Sequence, residues 1–217
     1  MIAEQPFGGP PPARRIEVDP ERIVRWVNTF AERHGPLTTS STGATVALTA
    51  SDGATAVLEP FMPGTLSASG EIDFLADWAA PQMRLALILV RRGGYAVGLG
   101  LGRELVAHKV GTRYVQSRTA AGGWSQHRFA RRRDNQADAL VGSVIDHARR
   151  VVLASPTDAL VVGGDKTLVR EVLADPRLAR LLELPRRELF DLPDPKLVVL
   201  KQAMRRGRAV RIALSEP

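Results

Sequence analysis

Residues 84–110 read RLALILVRRGGYAVGLGLGRELVAHKV. Three strand-like runs lie within them: Arg84–Arg91, Tyr95–Gly100 and Arg103–Val110. Gly93-Gly94 and Gly102 supply the short turns between the runs. β-Branched and apolar residues broken by glycine turns are the pattern of antiparallel hairpins, so the stretch predicts a three-strand meander.

The period changes after the meander. From about Ser125 to Ala154, Ala137, Leu140, Val141, Val144, Ala148, Val151 and Val152 recur at helical spacing, which predicts one long amphipathic helix. A buried strand at Ala159–Val162 follows, then helices at Lys166–Ala174, Pro176–Leu182 and Asp194 to about Arg206. Val210–Leu214 is expected to close the chain as a last strand. Strands separated by helices should run parallel, so the fold class is α/β (α+β) with a mixed sheet and helices packed on it.

Upstream, residues 1–18 are rich in Pro and Gly and read as a flexible tail. Asp19-Pro20 and Gly35-Pro36 bracket a helix carrying Ile23, Trp26, Val27 and Phe30. Residues 44–49 and 54–58 form a hairpin around Ser51-Asp52-Gly53, and a turn or two of helix is expected near Phe74–Trp78. Residues 19–80 are therefore expected as an extension on a core domain of residues 81–217.

The chain has 217 residues with a net charge of +7, a pI near 10.6 and no cysteine. Such a charge favours a polyanion, nucleic acid before an anionic membrane surface. The missing thiols exclude disulfides, thiolate metal sites and a cysteine nucleophile. The first fifteen residues carry an early acid and no apolar stretch of signal type. The longest clean apolar run, Leu85–Val90, is far below the roughly 20 residues that span a bilayer. A soluble, cytoplasmic chain, free of membrane contact, is expected.

The basic charge is concentrated. Between Glu104 and Asp134 there is no acidic residue, while Lys109, Arg113, Arg118, Arg128, Arg131, Arg132 and Arg133 fall there. Phosphate backbones are attracted to such a patch and release counterions on binding it. Tyr114, Trp124 and Phe129 are interleaved and suited to stacking on bases. Within the patch lies Ala120-Ala121-Gly122-Gly123-Trp124-Ser125-Gln126. Paired glycines let backbone approach a ligand closely, and Ser125 has the chemistry of an N-cap whose helix would offer free amides to an anion. From spacing alone, a ligand-facing loop and an ordinary flexible loop ending in a cap fit equally well.

Residues 109–133, KVGTRYVQSRTAAGGWSQHRFARRR, set between a strand and a long helix, resemble the actinobacterial release-factor-like peptidyl-tRNA hydrolases of the VLRF group. That group is related to the middle domain of the eukaryotic class-one release factor and to the Vms-type ribosome quality-control factor. The resemblance covers roughly residues 80–217 by element order. It implies an RNase H-like βββαβαβ architecture and a metal-independent carboxylic ester hydrolase without cofactor. It also implies action at the peptidyl-transferase centre of the large ribosomal subunit on peptidyl-tRNA, by a monomer serving rescue of stalled translation.

Carried over residue by residue, the resemblance makes Gly122 and Gly123 the shape of the tip, Ser125 part of it and Gln126 the catalytic glutamine. Lys109, Arg113, Arg118, Trp124, Arg128, Arg131 and Arg132 become RNA contacts. The motif departs from a contiguous Gly-Gly-Gln, because Trp124 and Ser125 separate Gly123 from Gln126. Gln116 is a second loop glutamine, and Gln136 reads as a structural helix residue.

Other constellations are weaker. Gly98–Gly102 (GLGLG) falls between strands and reads as a hairpin turn, not a dinucleotide loop. Val162–Thr167 (VGGDKT) lacks P-loop spacing and reads as a turn with a helix cap. His34, His108, His127 and His147 lack metal-ligand spacing. Ser125 lacks the Gly-x-Ser-x-Gly setting of a hydrolase nucleophile. A two-metal nuclease would need Glu71, Asp73, Asp77, Asp134 or Asp138 to converge, and their spacing does not require it. The alternative to the hydrolase is a non-catalytic RNA- or ribosome-binding module docking through the same basic loop.

Overall fold

The computed structural model describes residues 14–42, 44–64, 74–112 and 125–216, with the backbone alone for residues 125–136. The chain divides into two compact units. One comprises residues 1–81 with 208–217, the other residues 82–207.

In the N-terminal unit the strands are β1 (Arg14–Val18), β2 (Leu37–Ser41), β3 (Val46–Ala50), β4 (Thr55–Glu59) and β10 (Val210–Ser215). They form an antiparallel sheet in the order β1-β10-β4-β3-β2. Helices α1 (Ile23–His34) and α2 (Phe74–Ala79) accompany it. Alternate residues on the strands, Val46, Leu48, Leu58, Val210 and Ile212, share a core with Ile23, Val27, Leu75 and Trp78. This two-residue period on strands meeting a four-residue period on helices makes one apolar layer.

The hairpin expected around Ser51-Asp52-Gly53 is present as β3 and β4, and Gly53 takes φ +96° in its turn. Asp19 departs from expectation. It precedes a 3-10 turn at Pro20–Arg22, and its side chain makes no capping hydrogen bond. Gly35 ends α1 at φ +93°, its amide returning to the Ala31 carbonyl at 2.8 Å.

The second unit holds β5 (Arg84–Arg91), β6 (Gly94–Leu101), β7 (Glu104–Thr112), α3 (Ser125–Val151), β8 (Ala159–Gly164), α4 (Lys166–Leu173), β9 (Arg186–Leu189) and most of α5 (Leu197–Arg208). The sheet order is β7-β6-β5-β8-β9. The meander is antiparallel, while β8 runs parallel to β5 and β9 to β8. Ala86, Ile88 and Val90 meet Leu140, Val144 and Ala148 of α3 in the core, with Leu168 and Val172 of α4. Leu85, Leu87 and Leu89, on the opposite face of β5, are also buried. Burial on both faces explains why β5 is a continuous apolar run, as parallel-sheet interiors are.

Further expectations need correction. Val210–Leu214 does not close the sheet of the meander; β10 pairs antiparallel with β1 and β4 instead, placing Val210 and Ile212 in the N-terminal core. The mixed sheet ends at β9, a four-residue strand not anticipated from the sequence. Residues 14–18, read as the end of a tail, form β1; residues 1–13 lie outside the described residues.

Gly98–Leu101 is not a hairpin turn either. It lies inside β6, where a Cβ on Gly98 would stand 2.9 Å from Leu105 Cδ1 and 3.1 Å from Leu200 Cδ2. The glycines there admit neighbouring side chains. The turn itself falls at Gly102, with φ +53°.

Candidate nucleic-acid interface

β7 runs to Thr112 and α3 starts at Ser125, so the basic stretch joins an edge strand to the first turn of the longest helix. Ser125 and Gln126 are the first two residues of α3, with Arg128, Arg131 and Arg132 in its next turns. At 1.5 Å per residue, Gln126 stands about 21 Å along the helix axis from Leu140. The first amides of any helix lack intrahelical acceptors and carry the positive end of its dipole. A glutamine placed here is therefore beside donors suited to a developing negative charge.

Of the residues expected in the site, Arg113, Arg118, Gly122, Gly123 and Trp124 lie outside the described residues, as does Gln116. Lys109 is exposed on β7. Tyr95 on β6 stacks on His147 of α3, with ring centroids 5.4 Å apart and planes 21° from parallel. A Cβ on Gly111 would stand 2.4 Å from Tyr95 Cζ, so this glycine is what lets the ring lie across β7. Gly94 pairs with Thr112 in the ladder, and a Cβ there would meet the Gly111 carbonyl oxygen at 2.6 Å.

Arg150 Nη2 approaches His147 Nδ1 at 3.3 Å and Arg150 Nε donates to the Asp146 carbonyl at 3.2 Å. Burial lowers the His147 pKa, and Arg150 and Lys109 lower it further, opposed by Asp146. The imidazole is thus favoured in its neutral form, with Nδ1 accepting from the guanidinium. Arg149 and Arg150 are exposed near the end of the helix. Basic charge consequently appears at both ends of α3 and on β7. His147 is the residue that sequence reasoning missed here; its pairing with Tyr95 depends on a cross-element register that spacing does not reveal.

Of the turn and cap expected at Val162–Thr167, the cap is present, but Val162–Gly164 are the end of β8 and not a turn. Asp165 Oδ1 accepts from the amides of Thr167 at 2.9 Å and Leu168 at 3.2 Å. Among the described residues, no three His, Asp or Glu side chains gather as a metal-binding group. No helix among them is long and apolar enough to cross a membrane.

The sequence profile of the Actinobacteria/chloroflexi VLRF1 release factor family matches residues 83–213. The chain belongs to that family. Membership gives it a release-factor-like role in translation termination or ribosome rescue, and with it interaction with the ribosome. Among solved structures, the chain is similar to the Vms1 mitochondrial localization core, at 13% identity and TM-score 0.45, covering 77% of this chain and 75% of that one. It is also similar to an archaeal translation termination factor, aRF1, at 15% identity and TM-score 0.37, covering 87% of this chain and 62% of that one. No curated protein matches the chain. The functional reading rests on the family match and on the residues.

Proposed function

We propose that the chain is a peptidyl-tRNA hydrolase acting at the peptidyl-transferase centre of the large ribosomal subunit, in rescue of stalled translation. The observation that carries this reading is the place of Gln126. It stands at the start of α3, three positions after the Gly122-Gly123 pair in an acid-free basic stretch, inside the family match.

In the proposed reaction, water attacks the ester carbonyl carbon that joins peptide to tRNA. The carbonyl oxygen takes the negative charge, the bond to the terminal ribose oxygen breaks, and that oxygen takes a proton from the attacking water. The products are a peptide carboxylate, tRNA with a free ribose hydroxyl, and the second proton of the water, which passes to solvent. Glutamine has no useful acid or base at neutral pH, so Gln126 works by orienting water with its amide. Backbone amides at the helix start are the donors assigned to the developing oxyanion. Gly122 and Gly123 let the backbone enter a narrow space, and Ser125 begins the helix that carries Gln126.

Lys109, Arg113, Arg118, Arg128, Arg131 and Arg132 are assigned to phosphates of tRNA or ribosomal RNA, and Trp124 to stacking on a base. No step in this scheme requires a metal or cofactor.

The test is release of labelled peptide from peptidyl-tRNA in the P site of 70S ribosomes and of 50S subunits, with chelator present throughout. Release that depends on added protein is the expected result. Binding to both particles with no release in either leaves a docking module and ends the hydrolase reading.

A further inference from the structure

The N-terminal unit carries a groove lying almost wholly outside the family match, and the mechanism does not use it. It has a volume of about 250 Å³ and is lined by Arg14, Trp26, Phe30, Arg33, His34 and Glu216, among others. Trp26, Phe30 and His34 follow one another at four-residue steps, so they stand on one face of α1. The Trp26 and Phe30 rings stack at 5.4 Å with planes 14° apart, and Phe30 and His34 meet at 4.7 Å.

This ladder is fixed in place. Phe30 is buried between its neighbours, and His34 Nδ1 pairs with Asp52 Oδ2 at 2.8 Å. The Ala54 amide, then His34, hold the Asp52 carboxyl below the ordinary aspartate range. Trp26 and His34, at the ends of the ladder, are half-buried, and each presents aromatic surface to the groove. Arg14 on β1 and Arg33 on α1 are exposed at its rim against one acid, Glu216.

The chemistry on offer is aromatic stacking beside guanidinium groups. Stacked rings hold any nucleobase through its π face, and arginine holds phosphate by charge-assisted hydrogen bonds. The volume falls just below the roughly 300–1,000 Å³ of cofactor- and drug-sized pockets, which suits one base with its sugar phosphate. We infer that this groove binds a nucleotide, its base against the Trp26–Phe30–His34 ladder and its phosphate between Arg14 and Arg33. The inference does not rest on Gln126 or the glycine loop, and it gives a chain of release-factor type a second RNA contact.

The experiment follows the Trp26 indole N–H resonance in the intact protein, assigned with Trp26→Phe. The ligands are AMP, a single-stranded hexaadenylate and inorganic phosphate. AMP or the hexamer should shift Trp26 saturably while the fully buried Trp78 stays in place, and phosphate alone should not. Arg33→Glu, an exposed change that spares the core, should weaken binding about tenfold or more. A joint Arg128→Ala and Arg131→Ala variant should leave the AMP response intact, which separates this site from the hydrolase site. AMP binding as tightly as the hexamer gives the groove to free nucleotides; binding of the hexamer alone gives it to an RNA strand. A Trp26 resonance indifferent to both ligands, or equal binding by Arg33→Glu, overturns the proposal. So does a response to removal of residues 1–13 alone, which assigns the groove to the chain's own start.

Discussion

Tyr95 and His147 stack face to face, 5.4 Å between ring centroids, and so tie β6 to the last third of α3. The contact lies beside Lys109 on β7 and Arg150 on α3, both of which disfavour a second positive charge on the imidazole. It holds α3 against β6, the ladder neighbour of β7, from whose end the basic stretch leads to α3.

His147 has a folded pKa below its ordinary value of 6.5, from burial first and then Arg150 and Lys109. The unfolded chain therefore binds the proton at higher pH than the folded one. The stabilising contribution is fully present above the unfolded value and is lost as pH falls through it toward the folded one. Thermal unfolding of native protein and His147→Asn between pH 5 and 8 should show a steeper acid-side fall in the native chain. Equal slopes would remove His147 from the account.

Two glycines should respond to alanine with opposite signs. Gly164 sits at φ +101°, and a Cβ there would collide with the Val90 carbonyl oxygen. Gly164→Ala should cost about 1–3 kcal/mol from backbone strain, and more from the collision. Gly142, inside α3, faces open space: apart from its chain neighbours and its own helix backbone, no atom of the described residues lies within 4 Å of the point an alanine methyl would occupy. Gly142→Ala should stabilise by about 0.5–1 kcal/mol through helix propensity. Denaturant titration measures both, and a destabilised Gly142→Ala would contradict the open surroundings assigned to it.

Asp165 caps α4 with two amide hydrogen bonds. Asp165→Ala should lower stability by about 0.5–2 kcal/mol, while Asp165→Asn should recover most of it. Chemical denaturation checks the pair; an Asp165→Ala chain as stable as the native one would mean the cap carries no weight.

Arg128, Arg131 and Arg132 are proposed phosphate contacts. Replacing all three with alanine should weaken RNA binding and flatten the dependence of log K on log salt, by about 0.7–0.9 per lost contact. Binding measured at several salt concentrations reads this directly. An unchanged slope would show that these side chains meet no phosphate.

The central fold was legible where one physical rule dominated. β5 announces itself because both its faces are buried, and α3 because Leu140, Val144 and Ala148 repeat at helical spacing over one core. The missed strands are either edge strands held by pairing or too short to show a period. Arg14–Val18 and Leu37–Ser41 are edge strands with mostly exposed side chains, and Arg186–Leu189 is four residues long with Arg187 donating to the Arg206 and Gly207 carbonyls at 3.1 and 3.2 Å. β10 was readable as a strand, but its partners, β1 and β4, are set by tertiary pairing across nearly the whole chain. The GLGLG run misled because glycine marks both a turn and a close approach. Only the side chains of Leu105, Leu200 and Met204 distinguish the two. For the candidate site, charge and glycine content located the stretch, and resemblance alone singled out Gln126.

The most direct measurement is single-turnover peptide release from 50S-bound peptidyl-tRNA by native protein and by Gln126→Ala, with binding of each to the subunit measured alongside. The account predicts equal binding and a release rate at least about 100-fold lower for the variant, the scale of losing one group that acts chiefly in the transition state. Equal release by the two proteins would contradict it and remove Gln126 from the reaction.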